Sequence, residues 1–464
     1  MEPLKIKQFI SWLGGVVYGD NMQYALELPL PSIWMDTRKI AKGEIFLALK
    51  GEERDGHDYV EQAFKNGALY AIVAHGRLAS IPQEYHGQCI CVEDPLEAVQ
   101  QAAKEYRKTF SIPFITVAGS NGKTSTTHAI RKLLESSRNV GGTLGNWNNH
   151  IGVPLSLLRL TGNEDVALFE VGANHEGEIA QLVEILQPTI GIITNIGFAH
   201  VGLFGDIETT ARSKFELGRY LRDHGGLLYI NGDDTRSVAQ AAADAIAVET
   251  YGTVEGVDHQ ALAITCDIQG CYSCEFEGTT YHLATPGIHS LYSLFPALLI
   301  AKSLGVSQDT INETVKNLAP ASLRGGVEVV QGVSYIVDCY NANPSSMNTA
   351  AKLLDDIPSS GRKIAILGDM KELGRYEKEL HYEVGSLFGN LRIDAIIAVG
   401  ESATIIIEGA LLAGLPREIC FSFSTAKEVI PFVKTFVRAH DLVLLKGSRS
   451  IALETIFFAM KEDE

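Results

Sequence analysis

The stretch "FITVAGSNGKTSTTHAI", Phe114 to Ile130, decides the reading of this chain, because it runs an apolar strand through a glycine turn into a helix. The apolar run ends at Val117. Gly119, Ser120, Asn121 and Gly122 form the turn, and Lys123, Thr124 and Ser125 open a helix whose apolar positions include Ala129, Ile130, Leu133 and Leu134. Such an order points backbone N–H groups and a helix N-terminus at phosphate oxygens. The lysine reaches the terminal phosphates and the threonine hydroxyl ligates Mg²⁺. Val117 stands where the general pattern has its first glycine, which narrows the subtype of loop. No guanine-reading Asn-Lys-x-Asp occurs, the nearest string being "INGDD" at Ile230 to Asp234, so ATP is the expected nucleotide.

At 464 residues with 46% hydrophobic content, the chain is too long for one core and fits about three domains. A formal net charge of −17 argues against general binding to nucleic acid or to a membrane surface. No apolar run is long enough to span a bilayer, and the start "MEPLKIKQFISWLGG" lacks the pattern of a cleaved leader, so a cytoplasmic protein is expected. Seven cysteines suit a reducing compartment. Cys266, Cys271 and Cys274, with His282 nearby, contain a single C-x-x-C pair, but the segment alternates as hairpin strands do, and no metal is expected there.

An α/β fold of three domains follows from the alternation of apolar runs and helical segments. Residues 1–110 read as a small mixed unit with strands at Glu44–Leu49 and Tyr70–Ala74 and a helix at Tyr59–Asn66. Residues 111–320 carry "FITVA", "VALFEV", "IGIITNI" and "GGLLYI", the pattern of a mainly parallel doubly wound sheet around the phosphate loop. Residues 321–464 repeat the alternation with "SYIVDCY", "KIAILGD", "AIIAVG" and "DLVLLKG", a Rossmann-like domain without a G-x-G-x-x-G fingerprint. Sites in such sheets lie past the strand ends. There Glu170 and His200 follow apolar runs and suit cation binding beside the loop, and Lys214 follows on a helix.

Taken together, "AGSNGKTST", "GNWNNHIGVP", "FEVGANHEGEI", "TNIGFAHVGLFG", "VDCYNANPSSM", "LGDMKELG" and "LLKGSRS" resemble the Mur ligases, and "NWNNHIGVP" and "YNANPSSM" are similar to the dipeptide-adding branch. The resemblance runs from Asp36 to Ser450. It implies that ATP phosphorylates the C-terminal carboxylate of a UDP-N-acetylmuramoyl tripeptide and that D-alanyl-D-alanine attacks the acyl phosphate. It further implies that Lys123 holds the β/γ-phosphates, that Thr124 and Glu170 bind one Mg²⁺ and that His200 helps bind a second. Lys214 would be a carbamylated metal ligand. Arg324 would contact the γ-phosphate and Asp338 the ribose, with Asn341 and Asn343 near the nucleotide or amino substrate. Thr37 and Arg38 would belong to the uridine-diphosphate pocket, and Asn149, Lys446, Ser448 and Arg449 would bind substrate. A monomer with no nucleic-acid partner and no membrane insertion is expected. A related ligase with another amino substrate and a non-catalytic ATP-dependent switch are the alternatives. One departure stands out, since "GIHSLYS" places Ser290 and Ser293 where the family usually has asparagines, the second commonly at the adenine.

Overall fold

The computed structural model describes residues 3–17, 23–143, 145–198, 201–267 and 269–462. The chain divides into two compact units, one of Met1–Thr116, Arg138–Val171 and Ala180–Thr189, the other of Val117–Ser137, Gly172–Ile179 and Ile190–Glu464.

In the first unit a five-stranded sheet runs in the order Val16–Val17, Cys89–Val92, Tyr70–Ala74, Ile45–Leu47, Ile33–Trp34. Every neighbouring pair is parallel except the first. Tyr70–Ala74 and Cys89–Val92 are buried almost throughout, as parallel strands covered on both faces must be. The strand expected at Glu44–Leu49 is confined to Ile45–Leu47, and the helix expected at Tyr59–Asn66 runs from Val60 to Lys65. A 3₁₀ turn over Gly56–Tyr59 precedes that helix, and it holds the buried His57. The Ala74 N–H donates to His57 Nε2 at 3.0 Å, so Nδ1 carries the proton and donates to Asp55 at 2.6 Å. The same unit contains the parallel pair Val140–Gly142 and Val166–Glu170.

In the second unit Ile190–Ile193, Leu227–Asn231, Glu249–Gly252 and His259–Gln260 form a parallel ladder. An antiparallel sheet of Leu262–Cys266, Cys271–Phe276 and Thr279–Pro286 follows, where hairpin strands are expected. Within it Ser273 lies opposite His282 and is hydrogen-bonded to its Nδ1 at 2.8 Å, while Cys274 packs inside, where burial pushes its thiol up to about 11. The last six strands form a sheet in the order Gly326–Val330, Val333–Asp338, Leu442–Lys446, Lys363–Gly368, Ala395–Val399, Cys420–Phe423, parallel after an antiparallel first pair. Alternate residues enter separate cores. Ile336, Leu444, Ala365 and Ile396 pack in one, and Tyr335, Val443, Ile364 and Ile397 in the other, the two-sided burial of a doubly wound sheet. Among the described residues no helix is long and apolar enough to cross a membrane.

Candidate active site around the phosphate loop

Strand Phe114–Ala118 delivers the chain into the loop, and helix Lys123–Glu135 receives it. Gly119 has φ +133°, and a Cβ there would lie 2.0 Å from Thr194 Oγ1, so only glycine fits beneath the neighbouring segment. Gly122, at φ +80°, precedes the helix without a capping side chain. The loop is pinned from one side. The N–H of Ser120 donates to the Asn195 carbonyl at 2.9 Å and that of Asn121 to Asn195 Oδ1 at 3.1 Å, while Thr194 Oγ1 donates to the Asn121 carbonyl at 2.6 Å. The hydroxyl of Ser120 is held by Gly197. These bonds shape the loop, and they leave anion binding to the first-turn amides of the helix, the groups that a helix start does not satisfy internally. Lys123 Nζ lies across the turn, donating to the carbonyls of Gly119 at 2.9 Å and Ser120 at 3.3 Å.

Two C-terminal segments of the same unit reach the loop. Arg324 Nη2 donates to Thr124 Oγ1 at 3.1 Å, its guanidinium 3.9 Å from the centroid of the Tyr340 ring, and its Nε is buried without a partner. Asn343 Nδ2 donates to Asn121 Oδ1 at 2.6 Å while Asn343 Oδ1 caps helix Pro344–Asp356. Tyr340, inside "YNANP", is a functional candidate the sequence reading missed; an aromatic beside the chosen asparagines was the available signal.

Lys214 closes helix Ile207–Lys214 and is 2% exposed. Its Nζ reaches the Ala173 carbonyl at 3.3 Å and sits 4.7 Å from the Phe204 ring centroid. Burial, and next the Lys123 cation, bring its pKa down to about 7. His200 lies outside the described residues.

Asp338 and Lys446 face each other in register on adjacent strands and form a 2.6 Å ion pair, with Lys446 Nζ also 3.2 Å from the Asn341 carbonyl. Lys446 is thus partnered inside the protein, and Asn341 Oδ1 is taken by the Ala342 N–H. Ser448 is buried, accepting from the Lys371 N–H, whereas the exposed Arg449 turns to Glu454. Lys446, Ser448 and Arg449 therefore do not gather into one donor cluster.

In the first unit Glu170 ends its strand almost fully buried, accepting from Asn148 Nδ2 at 2.7 Å. Asn148 is a second residue missed, although it stands within the "NWNN" string. Asn149 Oδ1 accepts from the N–H groups of Ile151 and Gly152, in the turn that leads into the next helix. Arg38 forks back onto Asp36 at 2.8 and 2.9 Å, and these bonds hold the Asp36 carboxyl down at about 2. The carbonyl of Thr37 accepts from Asn66.

Three family models match in chain order: the Mur ligase family catalytic domain at 31–107, the Mur ligase middle domain at 117–301 and the Mur ligase glutamate ligase domain at 326–449. The chain is 33% identical over 457 residues to the UDP-N-acetylmuramoyl-tripeptide–D-alanyl-D-alanine ligase of Bacillus subtilis strain 168, covering 97% of this chain and 98% of the relative. The chain belongs to the Mur ligase family. Its fold is similar to that of MurF from Acinetobacter baumannii, at TM-score 0.86 and 30% identity, covering 100% of this chain and 99% of that one. It is also similar to MurF ligase from Thermotoga maritima in complex with ADP, at TM-score 0.80 and 26% identity over 94% and 98% of the two chains.

For a Mur ligase, this loop fits a nucleoside triphosphate with its divalent cation. Gly119 leaves no room for a side chain, a buried arginine nitrogen awaits an acceptor, and the Thr124 hydroxyl is present as a hard oxygen donor. The serine departure from the Mur pattern is structurally local. Ser290 Oγ donates to the Gly287 carbonyl at 2.7 Å and to the Thr285 carbonyl at 3.1 Å, in the turn before its helix, and Ser293 Oγ donates to the His289 carbonyl at 3.2 Å within it, so both hydroxyls are engaged by nearby backbone.

Proposed function

We propose that this chain is an ATP-dependent, ADP-forming ligase that joins D-alanyl-D-alanine to the C-terminal carboxylate of UDP-N-acetylmuramoyl tripeptide, completing a cytoplasmic peptidoglycan precursor. The observation that carries the reading is the Arg324–Thr124 contact, because it sets a C-terminal cation on the phosphate loop of the central domain. The full-length similarity to a UDP-N-acetylmuramoyl-tripeptide–D-alanyl-D-alanine ligase supports the choice of substrates.

Residues 1–110 would take the uridine nucleotide, 111–320 the ATP, and 321–464 the amino substrate while closing over ATP. The tripeptide carboxylate and the γ-phosphate are both anions, so charge neutralisation and alignment are the main tasks. Lys123 and the first-turn amides hold the phosphates, and Arg324 faces the γ-phosphate with its fork. Thr124 and Glu170, with His200, would hold two Mg²⁺ ions, which supply charge neutralisation between carboxylate and phosphate when bound. Lys214 fits carbamylation, since CO₂ adds to a neutral amine with loss of a proton, and a lysine with pKa about 7 is half neutral near that pH. The chain is expected to work as a monomer.

The test is phosphate release with ATP, Mg²⁺ and UDP-N-acetylmuramoyl tripeptide, with and without D-alanyl-D-alanine, beside mass detection of the pentapeptide. Dipeptide-dependent release with product supports the reading. Joining of single amino acids instead, or no joining at all, would replace it.

A further inference from the structure

Arg159 is a cation that no carboxylate among the described residues pairs with directly. Its guanidinium lies 4.4 Å from the ring centroid of Trp34 and 4.8 Å from that of Trp147, and the two indoles meet edge to face at 5.7 Å. Nε and Nη2 of Arg159 are buried without a hydrogen-bond partner, and so is Nε1 of Trp34. Three donor nitrogens in one stacked group are therefore unsatisfied, a state that is unfavourable in the free protein. Among the described residues no carboxylate pairs with Arg159. Glu44 acts on it only from a distance and is bonded to the Ala41 N–H in its own turn. Burial accordingly holds the guanidinium below its usual pKa.

The group also sits between two stretches that the proposed reaction uses. Trp34 leads into Asp36–Lys39, and Lys39 Nζ is 5.6 Å from the centroid of the Trp34 ring. Trp147 adjoins Asn148, which holds Glu170. Arg38, the arginine that sequence reading assigns to the nucleotide, is already forked onto Asp36, whereas the donors of Arg159 are unclaimed.

We propose that Arg159, framed by Trp34 and Trp147, is an oxyanion-binding residue for the muramoyl-peptide nucleotide, taking a diphosphate oxygen or a peptide carboxylate through Nε and Nη2. The proposal rests on the ligase reading above. Trp147 stands on a loop whose residues 145, 146, 149 and 150 are exposed, which puts the group near the protein surface, while Trp34 and Trp147 frame the fork from two sides. Satisfying the three donors would supply binding energy that the free protein lacks.

The experiment compares Arg159→Met and Arg159→Lys with the unaltered protein. It records KM for UDP-N-acetylmuramoyl tripeptide, KM for ATP, kcat and thermal unfolding, with direct binding followed by tryptophan fluorescence. Trp34 and Trp147 are two of only three tryptophans in the chain, so an anion arriving at Arg159 alters the signal. The expected result for Arg159→Met is a rise of at least about tenfold in KM for the nucleotide tripeptide, with KM for ATP and kcat within about twofold. Arg159→Lys should fall between, since it restores charge without the fork. Binding of UDP alone and of the tripeptide amide distinguishes the sources. A loss already seen with UDP assigns the diphosphate, and a loss confined to the free acid assigns a carboxylate. A folded Arg159→Met protein with unchanged KM for the nucleotide tripeptide overturns the inference and leaves the ligase reading standing. No turnover by the unaltered protein overturns both.

Discussion

Arg324 and Thr124 are 200 positions apart in the chain, yet Arg324 Nη2 lies 3.1 Å from Thr124 Oγ1. The arginine arrives by a strained turn. Leu323 has φ +59° and Gly325 has φ +74°, and strand Gly326–Val330 starts immediately afterwards.

Arg324→Ala should lower kcat by about 10²–10³-fold, the usual effect of removing a donor aimed at developing phosphoryl charge. Arg324→Lys should recover little, because the ammonium has no fork and stacks poorly on Tyr340. Steady-state kinetics with saturating ATP checks both, and a variant with unchanged kcat would remove Arg324 from the γ-phosphate.

Lys214→Ala should abolish most turnover while the protein stays folded, and short carboxylic acids should restore part of it if a carbamate is what the lysine provides. Mass spectrometry at raised bicarbonate is the direct check. Turnover near normal in Lys214→Ala would dismiss the metal role.

Asp338 and Lys446 are a pair with unequal burial, the lysine side chain 1% and the aspartate 23% exposed. Asp338→Asn leaves an ammonium buried without its counter-charge, and a loss of about 3 kcal/mol is expected in urea unfolding. Adding Lys446→Met should return much of that stability. A double variant as unstable as the single one would show that the ion pair matters through geometry and not charge.

Asp441 gives an acid-sensitive tie within the C-terminal sheet. Burial by itself would raise its pKa, but bonds from Arg362 and from the N–H groups of Arg438 and Arg362 outweigh it and hold the carboxyl below the usual value. A depressed carboxylate stabilises the fold fully above the unfolded pKa near 3.8, and that contribution disappears as pH falls through the folded pKa. Asp441→Asn should therefore lower the melting temperature at pH 7 and make a shrinking difference as pH falls below about 4. A constant difference across that range would contradict the assignment.

Local pattern was enough for much of the architecture. Strands Tyr70–Ala74 and Phe114–Ala118 coincide with the expected runs, because a stretch of buried apolar residues bounded by turn formers allows little else. The four expected C-terminal strands fall within a residue or two of their places, whereas the edge strands Gly326–Val330 and Cys420–Phe423 were not expected. "SYIVDCY" overruns Val333–Asp338 at its end, where Tyr340 turns away to stack on Arg324. The phosphate loop was legible for the same reason, its glycines and lysine being spaced along one continuous turn.

Local order is therefore written along the chain: strand, loop and helix, the α/β alternation and the residue types a phosphate site needs. Only tertiary structure decided which groups meet. It set Arg324 on Thr124 and Asn343 on Asn121, claimed Lys446 for Asp338, turned the hydroxyls of Ser290 and Ser293 onto nearby backbone carbonyls, and left the donors of Arg159 unclaimed between two indoles. The physical reason is that backbone periodicity acts over a few residues. Hydrogen-bond and charge partners are chosen in three dimensions, by which buried groups the packed elements bring within about 3 Å of one another.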